Sequence, residues 1–395
     1  MTMTSSLPSP APDRSPLSAP VKAVVDQAIA EHRLVGAVVL VRRDGRWVHR
    51  QAAGMADREA ARPMQLDTIF RLASVSKPIV SMAALLLVAR GQLDLDVDIR
   101  RWLPWFQPRL ADGQPAVITP RHLLSHTAGL GYRFFEADAQ GPYARAGVSD
   151  GMDAVGFGLD ENLRRIASVP LAYAPGAGWG YSLATDVLGR LVAQVHGQPL
   201  AQAVRALLTG PLEMRDTGFV VDDAARLAVA YVTDQPVPHR LGEGEVVAPF
   251  EGTVGIPFSP SRVLDPMAFA SAGAGMAGTA GDFLRLLEAL RSEALLPPAL
   301  LDEAGRDQTG GAEVAGAPGF GFGLGFSVLR DPLLAGSPES PGTWRWGGAY
   351  GHSWFVDRPQ RLSVVAFTNT LYEGMSGRFV ADVRDAVYAG IGGAR

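Results

Sequence analysis

The chain has 395 residues, enough for two packed regions rather than one small core. Hydrophobic residues make up 47% and charged residues 19%, the balance of an ordinary globular protein and not of a disordered one. A formal net charge of −4, 36 dispersed basic residues and no cysteine argue against a nucleic-acid partner and exclude disulfides, thiolate metal sites and cysteine catalysis.

Residues 1–20 hold five prolines and five serines and lack the apolar run of a secretory signal. They read as a mobile tail, and together with the lack of cysteine they fit a cytoplasmic protein. Val21, Val24, Val25, Ala28 and Ile29 share one face of a predicted helix over 21–34. GAVVLVRRDGRWVHRQAAG (36–54) reads as two strands joined at Arg43-Asp44-Gly45, because Asp-Gly is a strong hairpin signal. DTIFRLAS (67–74) reads as a short strand leading into a turn at Ser74. The helix that follows runs to Arg90 and is stopped by Gly91. Its apolar run, Ile79 to Ala89 interrupted by Ser81, falls well short of the roughly 20 residues a bilayer span needs, so it is read as buried in protein, with no membrane partner.

Between about 115 and 305 the pattern turns helical with long irregular links. Thr119-Pro120 reads as an N-cap with proline at the first helical position. Further helices are predicted at 160–168, 183–195, 199–209, 280–291 and 298–306, with loops at 216–278 and 305–320. Strand patterns return at 321–329, 343–348, 352–357 and 361–370, and a helix at 375–389 closes the chain. The expected fold class is α/β (α+β): residues 21–114 and 306–395 form one α/β domain, and 115–305 form a mostly helical domain inserted between them.

Lysine usage singles out one position. Arginine supplies 34 of the 36 basic residues, and the only lysines are Lys22 and Lys77. Arginine does not deprotonate in proteins, whereas a lysine in apolar surroundings can, so Lys77 is a candidate base. It lies in Ser74-Val75-Ser76-Lys77, where i and i+3 fall on one helical face. A serine hydroxyl needs such a base within hydrogen-bond reach to act as a nucleophile. The helix N-terminus adds free N–H groups and a positive dipole end, which suit a developing oxyanion. Proton relay to a leaving alcohol calls for a third group, and Tyr181, after the Gly/Pro-rich turn in APGAGWGYSLATD (174–186), is the best candidate.

SVSK at 74–77, GYSL at 180–183 and WGG at 346–348 resemble the three motifs of the serine β-lactamase and penicillin-binding-protein superfamily, most closely class C β-lactamases and the family VIII carboxylesterases. DTIFRLASVSKP (67–78), HLLSHTAGLGY (122–132), PLEMRDTGF (211–219) and WGGAYGHSWFVD (346–357) extend the resemblance along almost the whole chain. It implies a β-lactamase-like fold, an antiparallel sheet flanked by helices, with Ser74 as nucleophile, Lys77 as its base and Tyr181 as proton shuttle. The backbone N–H groups of Ser74 and Ala349 would form the oxyanion hole, and no metal or organic cofactor is implied. Two departures bear on substrate. Tyr181-Ser182-Leu183 lacks the asparagine of Tyr-x-Asn, and Trp346-Gly347-Gly348 lacks the lysine of Lys-Thr-Gly. Both make the pocket more apolar, which favours a neutral ester over an anionic β-lactam. Trp346, Gly347, Gly348, Tyr132, Phe134 and Phe135 are the candidate substrate-binding residues. The expected activity is hydrolysis of short-chain acyl esters. The alternatives are a β-lactamase or D-amino-acid peptidase on the same fold, or a non-catalytic penicillin-binding-type protein.

Three other motifs read as structural. Gly147-Val148-Ser149-Asp150-Gly151 matches a nucleophile elbow but lacks a flanking strand and helix, so it is expected to be a surface loop. Gly273 to Gly278 matches G-x-G-x-x-G with no strand before it, and reads as a flexible loop that can line the pocket. His122 and His126 have zinc-ligand spacing without a glutamate base or third ligand, and are expected to make structural hydrogen bonds under the site. His352 is expected near the pocket, as packing or a loop anchor.

Overall fold

The structure is a computed structural model that describes residues 16–392. Helix α1 spans Ser18–Ala30. It starts three residues earlier than predicted, with Leu17 already buried, so only residues 1–15 of the predicted tail lie outside the described residues. It also ends earlier than predicted, because His32 takes a left-handed φ of 57°.

Strands β1 (Gly36–Arg43) and β2 (Arg46–Asp57) form the predicted hairpin. Asp44 and Gly45 both have positive φ, 54° and 71°, the backbone a two-residue turn between twisted strands requires. Strand β3 (Arg62–Pro63) pairs with β2 at the sheet edge. The predicted strand over 67–74 is shorter: β4 is Ile69–Arg71, and Ala73, at φ 44°, swings the chain into a 3₁₀ turn over Ala73–Val75. Helix α2 (Ser76–Ala89) follows at once, with Gly91 at φ 69° just beyond its end.

The helical stretch holds α3 (Pro120–Leu124), α4 (Pro142–Arg145), α5 (Leu159–Ser168), α6 (Ala184–His196) and α7 (Leu200–Val204). The predicted helix over 199–209 does not stay α-helical: Arg205–Thr209 forms a π turn. Within the predicted loop 216–278 lie two short ladders, β5 (Tyr231–Val232) with β6 (His239–Arg240) and β7 (Val246–Val247) with β8 (Ile256–Pro257). Strand β9 (Ala277–Thr279) pairs with β4 and so ties the end of that loop to the segment before Ser74. Helices α8 (Ala280–Arg291) and α9 (Pro298–Ala304) follow.

One predicted strand, 321–329, is two. β10 (Phe320–Phe322) and β11 (Ser327–Leu329) pair antiparallel around a turn in which Gly325 has φ 108°. β12 (Trp344–Gly348), β13 (His352–Asp357) and β14 (Leu362–Thr368) agree with prediction, and α10 (Arg378–Gly392) closes the described chain. The main sheet has eight antiparallel strands in the order β10-β11-β12-β13-β14-β1-β2-β3, so β1 from one end of the chain pairs with β14 from the other. An antiparallel sheet flanked by helices is the architecture that the resemblance implies.

Pleating sorts the sheet's side chains. Ala37, Val39 and Val41 of β1 and Val364 and Ala366 of β14 face Val21, Val25, Phe379, Val383 and Val387 of α1 and α10. Val38, Leu40, Val365 and Phe367 face the main core, which α2 and α8 enter from the other side. Phe283 of α8 lies 5.7 Å from Phe367 and 5.6 Å from Trp354. Helix α8 lies within the predicted helical segment, yet it packs on β1 and β14. Among the described residues no helix is long and apolar enough to cross a membrane.

Candidate active site

The 3₁₀ turn carrying Ser74 is wedged between the end of β12 and the start of α2. Gly348 makes that approach possible: a Cβ there would lie 2.4 Å from the Leu72 carbonyl oxygen and 3.2 Å from a Val75 methyl. Ala349 follows immediately, so its backbone is brought to the same turn.

Lys77 lies in the first turn of α2 and is almost wholly buried. Its Nζ is 3.3 Å from Ser74 Oγ and donates to the Gly273 carbonyl at 2.9 Å. The amine also faces two rings, 4.6 Å from the centre of Tyr181 and 5.4 Å from that of Tyr132. Tyr181 sits just before α6, and its hydroxyl donates to Ser74 Oγ at 2.6 Å. The fold therefore gathers the three predicted residues round one oxygen.

The candidate substrate-binding residues also meet here. Trp346 on β12 stands 5.2 Å from the Tyr181 ring, and Tyr132 stands 5.1 Å from it on another side. Tyr132 stacks on Phe134 with ring centres 4.5 Å apart, and Phe135 lies tilted at 49° against Phe134 at the same distance. Burial, with the neighbouring Tyr181, Asp186 and Asp150, pushes the Tyr132 hydroxyl well above the usual phenol range, so it stays neutral. Phe135 is 40% exposed and stacks at 5.9 Å on Phe250, which is 51% exposed. Gly347 and Gly348 line the strand edge next to Trp346.

Sequence reasoning missed Phe250, Phe322 and Asp186. Phe322, on β10, packs 5.1 Å from both Trp346 and His126. Asp186, in the first turn of α6, is wholly buried and accepts from Gly273 N at 2.9 Å and from Ser271 Oγ at 3.0 Å. Burial raises its pKa, opposed by those two donors and by the positive charges of Lys77 and Arg262. An aspartate at a helix start has an ordinary reading as an end charge, so nothing in its local pattern marks these contacts.

The other motifs settle into structural places. His122 closes a capping box with Thr119: its ring accepts from Thr119 N at 3.2 Å, and Thr119 Oγ1 accepts from His122 N at 3.3 Å. His126 is buried beneath Tyr181, 5.0 Å ring to ring, with Nδ1 3.2 Å from Ser182 Oγ. Burial and the nearby Lys77 charge hold it well below the usual imidazole range. Among the described residues no cluster of histidines and carboxylates suits a metal. His352 is buried behind Gly348 and donates from Nε2 to the Arg71 carbonyl at 2.7 Å; burial lowers its pKa to about 4.

The segment 147–151 departs from its expected surface position. Val148, Ser149 and Asp150 are all buried. Ser149 N donates to Asn162 at 2.9 Å, and its hydroxyl donates to Asp153 and accepts from Gly151 N at 3.1 Å. Asp150 accepts from Arg133 N and Phe134 N at 3.0 and 3.1 Å, and so braces the turn that carries the aromatic wall. Gly273 lines the site as expected, against Lys77.

A model of the β-lactamase family matches residues 21–389. The chain belongs to the β-lactamase family. It is 56% identical over 380 residues to Esterase EstB of Burkholderia gladioli, covering 95% of this chain and 96% of that one. Among solved structures it resembles EstCE1, described as a hydrolase with promiscuous acyltransferase activity, with TM-score 0.92, 47% identity and coverage of 94% and 98%. Unliganded simvastatin synthase from Aspergillus terreus shares the fold at TM-score 0.73 and 22% identity, covering 95% and 98%.

Proposed function

We propose that the chain is a serine carboxylesterase of the family VIII type, which hydrolyses short-chain acyl esters through an acyl-enzyme on Ser74. It is a carboxylic ester hydrolase by its likeness to the Burkholderia esterase. The observation that carries the mechanism is the convergence of Lys77 Nζ at 3.3 Å and Tyr181 Oη at 2.6 Å on Ser74 Oγ.

Ser74 Oγ attacks the ester carbonyl carbon, and its proton passes to Lys77, with Tyr181 completing the relay. The carbonyl oxygen gains the negative charge and accepts from the N–H groups of Ser74 and Ala349. The oxyanion then re-forms the carbonyl, and the bond to the alcohol oxygen breaks as that alcohol oxygen takes the relayed proton, leaving the acyl group on Ser74 Oγ. Water repeats the sequence on the acyl-enzyme, giving up one proton to the same pair, and releases the acid and a free Ser74. No step calls on a metal or an organic cofactor. The acyl or alcohol group rests against Trp346 and the Tyr132–Phe134–Phe135 wall, with Gly347 and Gly348 leaving room along β12. The absence of lysine from Trp346-Gly347-Gly348 and of asparagine from Tyr181-Ser182-Leu183 favours a neutral ester over a β-lactam or D-amino-acid peptide.

Turnover of p-nitrophenyl acetate is compared with that of a chromogenic cephalosporin. The ester is expected to be the faster substrate, and a serine-directed phosphonate is expected to label the Ser74 peptide. Rapid cephalosporin turnover with negligible ester cleavage would reverse the assignment.

A further inference from the structure

We propose that Asp186 is the positioning residue for Lys77: it holds Gly273 by its N–H and so fixes the carbonyl that orients the amine toward Ser74. This rests on the reading of Lys77 as the base.

In the form in which it would act as a base, the Lys77 amine has two N–H bonds and one lone pair. Donating one N–H to a fixed acceptor constrains where the lone pair points, and the Gly273 carbonyl, 2.9 Å from Nζ, is that acceptor. The other neighbours of Nζ are Ser74 Oγ and the faces of Tyr181 and Tyr132, and ring faces do not fix a lone pair in the same way. The direction of the base is therefore set by a loop residue, so what holds that residue matters.

Residues 271–275 read Ser-Ala-Gly-Ala-Gly and belong to no strand or helix. The loop's far end is tied beside the nucleophile turn, where Met276 N donates to Ser76 Oγ and Leu72 N donates to the Met276 carbonyl. Its near end is tied by Asp186, which accepts from Ser271 Oγ and Gly273 N. The carboxylate is held in turn by α6, whose start also carries Tyr181 toward the same serine. A Cβ built on Gly273 would lie 3.4 Å from Lys77 Nζ, 3.5 Å from the Tyr132 hydroxyl and 3.7 Å from Asp186 Oδ1, so three functional groups converge on this one glycine. A buried carboxylate with all its bonds spent on one loop has a role beyond capping a helix.

The test compares kcat and KM for p-nitrophenyl acetate in the wild type, D186A, D186L and D186N, each counted by phosphonate-titrated active sites so that misfolded protein does not enter. D186A leaves the loop donors unpaired, and D186L does so with a side chain of similar shape, which decides the matter should D186A not fold. Asparagine keeps an acceptor for Gly273 N. Expected are a kcat lower by about 100-fold in D186A and D186L with KM nearly unchanged, the cost of misplacing a reacting group by roughly 1 Å, and recovery to within about tenfold of wild type in D186N. Wild-type kcat per titrated site in D186A or D186L overturns the proposal. So does a rise in KM alone, or a D186N as impaired as D186A. If wild type itself neither cleaves the ester nor reacts with the phosphonate at Ser74, it is the esterase reading that fails.

Discussion

Tyr181 Oη stands 2.6 Å from Ser74 Oγ although 107 positions separate the two residues in the chain. The contact joins the start of α6 to the 3₁₀ turn before α2, with Lys77 Nζ lying against the face of the same tyrosine ring. A hydroxyl at that distance can pass a proton to and from the serine oxygen without any movement of the backbone.

Removal of that hydroxyl is the first test of the relay. Y181F keeps the ring that packs on Trp346, Tyr132 and His126 and deletes only the oxygen. Its kcat for p-nitrophenyl acetate is expected to fall by roughly 10²–10⁴-fold, the span of general acid–base catalysis, with KM little changed. A loss under tenfold would mean that Lys77 works alone.

The two serines in nucleophile-like motifs are expected to behave oppositely. S74A abolishes ester hydrolysis and phosphonate labelling. S149A retains the activity, because Ser149 is enclosed by Asn162 and Asp153. Removing its hydroxyl costs about 2 kcal/mol of stability in denaturant unfolding, because it deletes two hydrogen bonds, one to Asp153 and one from Gly151 N. Activity lost in S149A while S74A keeps it would invert the assignment.

The aromatic wall is tested by chain length. F135A removes an exposed ring and is expected to lower kcat/KM for p-nitrophenyl butyrate more than for the acetate. The difference is about tenfold if the two extra methylenes rest on Phe135, at about 0.8 kcal/mol per methylene. Equal effects on both esters would make Phe135 a packing residue.

The pH dependence of stability carries a signature of His352. Its pKa falls from 6.5 in an exposed site to about 4 on folding, because burial disfavours the charged ring. Between those values the unfolded chain binds the extra proton, so this histidine's contribution is complete above pH 6.5 and is lost as pH falls toward 4. The loss is on the order of 3 kcal/mol. H352Q, which can still donate to the Arg71 carbonyl, is expected to lose less stability than wild type between pH 7 and 4.5 in guanidinium unfolding. Parallel curves for the two proteins would rule the histidine out as the source.

Much of this arrangement was legible in the sequence because it is local. The Ser74–Lys77 spacing, the Asp44-Gly45 hairpin, the Thr119-Pro120 cap and the stop at Gly91 depend on residues within one or two turns of one another, where backbone geometry and periodicity leave few choices. The resemblance carried Tyr181 and Trp346 to the same site. The errors fell where local pattern is ambiguous. Residues 321–329 read as one apolar strand, and only the left-handed backbone at Gly325 splits it. The segment 147–151 lacks a flanking strand and helix, so it read as a surface loop, yet Asn162 and Asp153 satisfy its polar groups and allow it to be buried.

By itself, then, the sequence determined which residue types were available for the chemistry: a single lysine in an apolar helix, a serine one turn before it, and no lysine in Trp346-Gly347-Gly348. Only the tertiary structure decided how they are held. Asp186 reaches Lys77 through Gly273, Phe250 reaches Phe135, and Asp150 braces the wall, all across long sequence separations. Such contacts follow from close packing of the whole core and from the need to pair every buried polar group, and neither condition can be read from neighbouring residues alone.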